Sequence, residues 1–332
     1  MYGWDDSGGG TMLPRAFAHE LAQQGDRVIV FSAAARRSAE LPDYGTRVTD
    51  VDGVLHIALH NRRADFMATA APLDDIDDPG ARSAFAAVLD DHRPDVVHFW
   101  NLHGLSMALP AECKTRSIPT VLSTNNYWSI CPRLYLVSER LERCDGPSAC
   151  GTRCRTCLGE VAPAAEYGDR RAAGVRMLRS GIDLHLAVSR RVRDLHVQNG
   201  DDPDHVRVLA QEPPNVTAIW ERTGSTRALG CPSGRPLRVG FIGSVMPHKG
   251  VHVLAAALQR LPVGAVEAVA LGDVTADYLQ VLQGIDPAGR LQLTGRYDAA
   301  RARGALPGGG SADRRHSGLR HRRRERAALR SG

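Results

Sequence analysis

No stretch of the chain approaches the roughly 18 to 20 uninterrupted apolar residues that a membrane-spanning helix needs. The start, Met1-Tyr2-Gly3-Trp4-Asp5-Asp6, lacks the basic and apolar regions of a secretory leader, so a cytoplasmic protein is expected. Aromatic residues make up only 5% of the 332 residues, yet 43% are hydrophobic, enough for one large or two medium cores. Charge is also scarce where a polyanion would need it. The net charge is +5, but Ser311–Gly332 holds eight Arg against Asp313 and Glu325, a local net of +6, leaving about −1 for the rest. A body that neutral has no footprint for nucleic acid.

What is present is an alternation of strands and helices. After the glycines Gly8, Gly9 and Gly10, with Thr11 as candidate N-cap, Leu13, Phe17 and Leu21 recur at helical spacing up to Gly25, and Val28–Phe31 reads as a buried strand. About seven residues precede those glycines, too few for the strand that opens a βαβ unit. A helix near Ala81–Asp91 follows, then strands at Asp95–Trp100, Ile118–Ser123, Leu184–Val188 and Val206–Leu209. Such alternation predicts a parallel sheet covered on both faces, the doubly wound α/β class. The composition shifts to Pro, Gly, Thr and Ser over 211–236, a linker. A second unit then opens with a strand at Leu237–Gly243, a helix carrying Val251, Leu254, Leu258 and Leu261, and strands at Ala265–Gly272 and Leu291–Gly295. Beyond Tyr297 the pattern stops, and the Arg- and Gly-rich residues to Gly332 cannot bury a core. The expected division is a lobe over 1–210 with a Cys-rich insert at about 131–158, a linker over 211–236, a partial second lobe over 237–298 and a tail over 299–332. A truncation or frame change near Ala300 would account for the short second lobe.

The chemistry centres on Leu237-Arg-Val-Gly-Phe-Ile-Gly-Ser-Val-Met-Pro-His-Lys-Gly-Val251. Gly243 ends a strand, Gly250 begins a helix, and Lys249 adds a full charge to a helix start whose N–H groups favour anions. His248 and Ser244 complete a candidate diphosphate cradle. A plain strand–helix turn with a solvated lysine is the alternative. His98 and His103 flank the strand end at Trp100-Asn101-Leu102, where α/β proteins place cleft residues; a packed or solvated histidine is the alternative for each.

Five of the seven cysteines fall between Cys131 and Cys157, and Cys144, Cys150, Cys154 and Cys157 lie within fourteen residues of one another. In a reducing compartment this points to a structural zinc site, with an iron–sulfur cluster second. The three-then-two spacing of Cys150, Cys154 and Cys157 matches radical S-adenosylmethionine enzymes, but it follows several strands of a doubly wound pattern rather than the first strand of a barrel, which ranks that reading lower. Cys113 and Cys231 stand alone and read as inert thiols.

Taken together, Ser7-Gly-Gly-Gly-Thr11 with Gly25–Val30, Ile118–Pro119 through Tyr127-Trp-Ser-Ile-Cys-Pro-Arg133, Ala187-Val-Ser189, the Gly243–Gly250 loop and Gly295-Arg-Tyr297 resemble, in order, the retaining family 4 glycosyltransferases. The resemblance runs from about Gly8 to Tyr297. It implies the GT-B fold, two Rossmann-like lobes of which the second is incomplete here, with an acceptor lobe, a donor lobe and a cleft. It further implies transfer of a sugar from a nucleotide diphosphate to an acceptor (polysaccharide, glycolipid or natural product) with retention, needing no cofactor for the transfer. Gly243, Ser244, Lys249 and Gly250 fall on donor-phosphate positions, and Gly9 and Gly10 on the acceptor-lobe loop. Three departures stand out. Asn125-Asn126 occupies the place of a His-Asp pair common in relatives, so Asn125 can position a substrate but not exchange protons. Ser244 replaces a usual basic residue, and the paired glutamates of the donor lobe have no counterpart. A catalytically silent binding protein is therefore the second reading. A basic helix near Arg170–Arg179 offers peripheral contact with the inner face of a membrane, or a solvated face.

Overall fold

The computed structural model describes residues 9–34, 39–61, 76–102, 104–138, 140–147, 154, 157, 167–212, 234 and 236–296. His103, Cys150, Cys231, Tyr297, most of the linker and the tail lie outside them. The chain divides into two compact units, Met1–Ala228 and Leu229–Gly332.

In the first unit, α1 (Gly9–Gln23) leads into β1 (Val28–Ala33). Thr11, expected to cap the helix, instead lies buried inside its first turn, because the helix already starts at Gly9. Gly25, with φ 97°, supplies the left-handed turn that ends the run, donating its N–H to the Ala22 carbonyl at 3.1 Å. β2 (Gly45–Val51) and β3 (Val54–His60) form an antiparallel hairpin around Asp52-Gly53, and β3 also pairs in parallel with β1. This hairpin departs from the all-parallel expectation; β2, largely exposed, closes that edge.

Helix α2 (Pro79–His92) is specified at both ends. Asp78 accepts from the N–H groups of Gly80 and Ala81, Pro79 opens the first turn, and Arg93 closes the helix in the left-handed conformation. Its buried face, Ala81, Phe85 and Leu89, enters a core with Leu59, Phe99, Leu102, Met107, Leu109 and Leu122. A second sheet follows in the parallel order β4 (Val97–Phe99), β5 (Thr120–Thr124), β6 (Leu184–Ala187), β7 (Val206–Val208). Helices α3 (Leu109–Lys114), α4 (Tyr167–Ser180) and α5 (Arg190–Gln198) connect it.

The two sheets are separate: β1 and β4 each carry one edge that pairs with no described strand. Between them runs a cavity of about 520 Å³, lined by Val28–Ser32 of β1 and Val96–Trp100 around β4. The Phe85 ring bridges Phe31 and Phe99, at 5.3 and 6.0 Å, while Phe17 of α1 meets His98 and Trp100 at 5.4 and 6.1 Å. Because successive side chains of a strand alternate in direction, Phe99 and His98 serve opposite faces. The cavity is thus a slot between the two sheets with an aromatic contact on each side.

The second unit holds three parallel strands in the order β10 (Leu291–Leu293), β9 (Val266–Leu271), β8 (Leu237–Ile242). Helices α6 (Val251–Gln259) and α7 (Ala276–Ile285) connect them. β9, paired on both sides, contributes buried Ala268, Val269, Ala270 and Leu271, while Val251, Ala255, Leu258, Tyr278 and Leu282 are the buried positions of the two helices.

Candidate functional site

In the second unit, β8 runs into Gly243, and Val245, fully buried, donates its N–H to the Asp273 carbonyl at 2.9 Å. This pins the loop's middle against the end of β9. Pro247–Lys249 then form a single 3₁₀ turn, and Gly250, with φ 74°, caps α6 in the left-handed conformation without a side-chain partner. The expected strand–glycine–glycine–helix order therefore holds, with the 3₁₀ turn presenting His248 and Lys249 just ahead of the helix. Burial, and secondly the Lys249 charge, lower the His248 pKa to about 4, so the ring is neutral near pH 7 and Lys249 alone supplies full charge.

Gly272 adds a feature that sequence reading missed. It follows β9, and a Cβ there would lie 1.8 Å from the Gly243 carbonyl oxygen, so only glycine allows the two backbones to meet. Its N–H donates to the Gly295 carbonyl at 2.9 Å. Three glycines thus line the carboxyl ends of three adjacent parallel strands, the edge at which open α/β sheets bind ligands. The signal was the Leu-Gly-Asp at a strand end, which resembles any turn until its partner is known.

In the first unit, the glycine turn and the Asn125 segment come together: a Cβ on Gly10 would stand 4.0 Å from Asn125 Nδ2. Asn126 accepts from the Trp128 N–H at 3.1 Å, a local turn that fixes the chain after β5. His103 lies outside the described residues. His98 is a packed histidine: its Nε2 is 2.8 Å from Ser123 Oγ, its ring is 4.7 Å from Trp100, and burial lowers its pKa to about 4.

A cluster that the sequence did not reveal joins β6, α5 and the end of α4. Asp201 holds His185 Nδ1 at 2.9 Å and His196 Nδ1 at 3.1 Å and pairs with Arg179, while His185 Nε2 is 2.8 Å from Thr124 Oγ1. Burial opposes ionisation of Asp201, but these hydrogen bonds and the Arg179 charge outweigh it and hold the carboxyl below its ordinary range. The three donors lie within 4.8 Å of one another, near enough to hold a metal. Arg179 already neutralises the carboxylate and both His185 nitrogens are engaged, while the buried His196 Nε2 has no described partner. Residues drawn from a strand, a helix and a loop at irregular spacing give no motif in the sequence.

On the helix near Arg170–Arg179, Arg170 and Arg176 are exposed, while the other two arginines turn inward. Arg171 is 6% exposed and bonds to the Trp128 carbonyl at 3.0 Å, and Arg179 is paired with Asp201. No described helix is long and apolar enough to cross a membrane.

Two Rossmann-like units in one chain, the second with a glycine-lined loop between strand and helix, define a protein of the GT-B type. The family model described as Glycosyltransferase Family 4 matches residues 7–210, more than half of the chain, and the chain belongs to that family. Among solved structures it is similar to α,α-trehalose 6-phosphate synthase from Burkholderia multivorans, at 13% identity over 85% of this chain and 69% of that one, TM-score 0.50. It is also similar to Anabaena HepE in complex with UDP and glucose, at 15% identity over 88% and 67%, TM-score 0.46. HepE in complex with UDP-glucose matches at 16% identity over 65% of this chain, TM-score 0.38, and the match spans about half of that protein, 52%. No curated protein matches by sequence.

Proposed function

We propose that the chain transfers a sugar from a nucleotide diphosphate to a sugar, lipid-linked or small-molecule acceptor, with retention of configuration. The observation that carries this reading is the Gly243–Gly250 loop of the second unit, in a chain whose first unit carries the glycosyltransferase family match. Gly243 and Gly250 leave the backbone open to a diphosphate, the start of α6 offers N–H groups to it, and Lys249 adds the charge that stabilises the leaving group. Such catalysis is electrostatic and requires no metal, the departing phosphate serving as acid–base partner. Ser244 and the neutral His248 act as hydrogen-bonding groups at the same loop. In the first unit, Gly10 leaves room beside Asn125, whose amide would orient an acceptor hydroxyl or the sugar.

Calorimetry with a panel of nucleoside diphosphates tests the donor half: one base is expected to bind without added divalent cation, and Lys249→Met to weaken it. Assay of the matching nucleotide sugar, with the anomeric form of the product read by NMR, tests transfer and retention. If no diphosphate binds while a carbohydrate acceptor does, the protein is a silent binding member of the family rather than an enzyme.

A further inference from the structure

The segment that joins β9 to α7 backs the Gly243–Gly250 loop at more than one point. Beyond the close approach of Gly272 to Gly243, Val245 forms a parallel bridge with Val274, and α7 then starts at Ala276. α6 follows β8 and α7 follows β9, and those strands are neighbours, so both helices start at the carboxyl edge of one sheet. There Tyr278, the third residue of α7, meets His252, the second residue of α6.

Tyr278 is 3% exposed, and its hydroxyl contacts that one residue twice. Its oxygen accepts the His252 backbone N–H at 3.1 Å and lies 2.8 Å from His252 Nδ1. The two rings meet edge to face, with centroids 6.1 Å apart. Burial holds the phenol above its ordinary range, outweighing the backbone bond, so the hydroxyl keeps its proton. A buried hydroxyl proton needs an acceptor, and among the described residues Nδ1 is the acceptor it has. The imidazole therefore carries its own proton on Nε2. His252 is half-buried, and its Nε2 has no hydrogen-bond partner among the described residues. Tyr278 thus takes one backbone donor from the start of α6 and sets up another on the imidazole, while the Val251 N–H has no described partner.

We propose that His252 is a further donor-binding residue, its Nε2–H bonding an oxygen of the leaving diphosphate, and that Tyr278 is the positioning residue that fixes the required tautomer. This rests on the reading of the Gly243–Gly250 loop as a diphosphate site. Lys249, three residues earlier, supplies a charge with no fixed direction, whereas a ring N–H supplies a directional bond. Because Tyr278 holds both the backbone and the ring of His252, that donor is in place before charge develops on the leaving group, and nothing need reorganise as it does.

Ring spectra of the full chain labelled with ¹⁵N-histidine, assigned for His252 with the His252→Gln variant, should show the proton on Nε2 in the wild type and a mixture of tautomers in Tyr278→Phe. In calorimetry with UDP, GDP and ADP, His252→Ala should weaken binding roughly 5- to 20-fold, and Tyr278→Phe should weaken it in the same direction. His252→Gln, whose side-chain amide restores an N–H donor, should stay within about threefold of wild type. Should Tyr278→Phe fail to fold, the wild-type tautomer and the two His252 variants decide the question. A wild-type proton on Nδ1, equal loss in His252→Ala and His252→Gln, undiminished binding by a folded Tyr278→Phe, or undiminished binding by His252→Ala while Lys249→Met binds less would each overturn this inference and leave the diphosphate site standing. No binding of any of the three diphosphates to the wild-type chain would overturn the diphosphate site itself, and this inference with it.

Discussion

At the residue scale, the donor loop depends on contacts that can be removed singly. Lys249 is the one full charge that the loop sets beside its helix start, and a charged hydrogen bond to phosphate is worth about 1.5–3 kcal/mol. Lys249→Met should therefore weaken nucleoside diphosphate binding by roughly 10- to 100-fold, measured by calorimetry. Gly272 acts on the same loop from behind. Its added Cβ would meet the Gly243 carbonyl oxygen, a backbone atom that cannot rotate aside, so Gly272→Ala should cost about 1–3 kcal/mol in a denaturant titration and weaken diphosphate binding through displacement of Gly243. His98 sets a pH dependence. Its pKa in the folded chain is lowered by burial to about 4, against about 6.5 when unfolded, so the unfolded state binds the proton first. Stability attributable to it is fully present above about pH 6.5 and is lost as pH falls towards 4. Thermal melts of His98→Gln should show a shallower decline than wild type over that window; an identical slope would refute the assignment.

At the element scale, the aromatic bridge between β1 and β4 explains how two separate sheets share one core. Phe85 touches Phe31 on one side and Phe99 on the other, and lies in the buried face of α2. Phe85→Ala should cost about 3–5 kcal/mol, seen as a lower midpoint in chemical denaturation, because a cavity there adjoins the existing slot and cannot be filled by one sheet alone. Elements were legible in the sequence where their pattern was local. The strands at Val28, Leu184, Leu237 and Val266 were, and so was the body of α2, though not its Asp78-Pro79 start. The β2–β3 hairpin was not read, although Asp52-Gly53 is a strong hairpin turn, because β2 carries Arg47, Thr49 and Asp50 and is mostly exposed. The site was legible to the same degree. Gly243, Lys249 and Gly250 lie in one short loop and could be read; Gly272 and the His185–His196–Asp201 network draw on separate elements, and only the fold brings their groups together.

At the scale of the whole molecule, the first unit is a doubly wound sheet interrupted in its middle. Among the described residues, neither β1 nor β4 has a paired strand along the edge that faces the slot, and Phe17 of α1 beside it is 46% exposed. The core nonetheless runs across both sheets, because Ala33 and Leu59 of the first and Phe99 and Leu122 of the second join Phe85 and Leu89 of α2 in one apolar cluster. The first unit is therefore held together across the slot by side chains of α2 rather than by a ladder between β1 and β4, and a substitution on the buried face of that helix loosens both sheets at once.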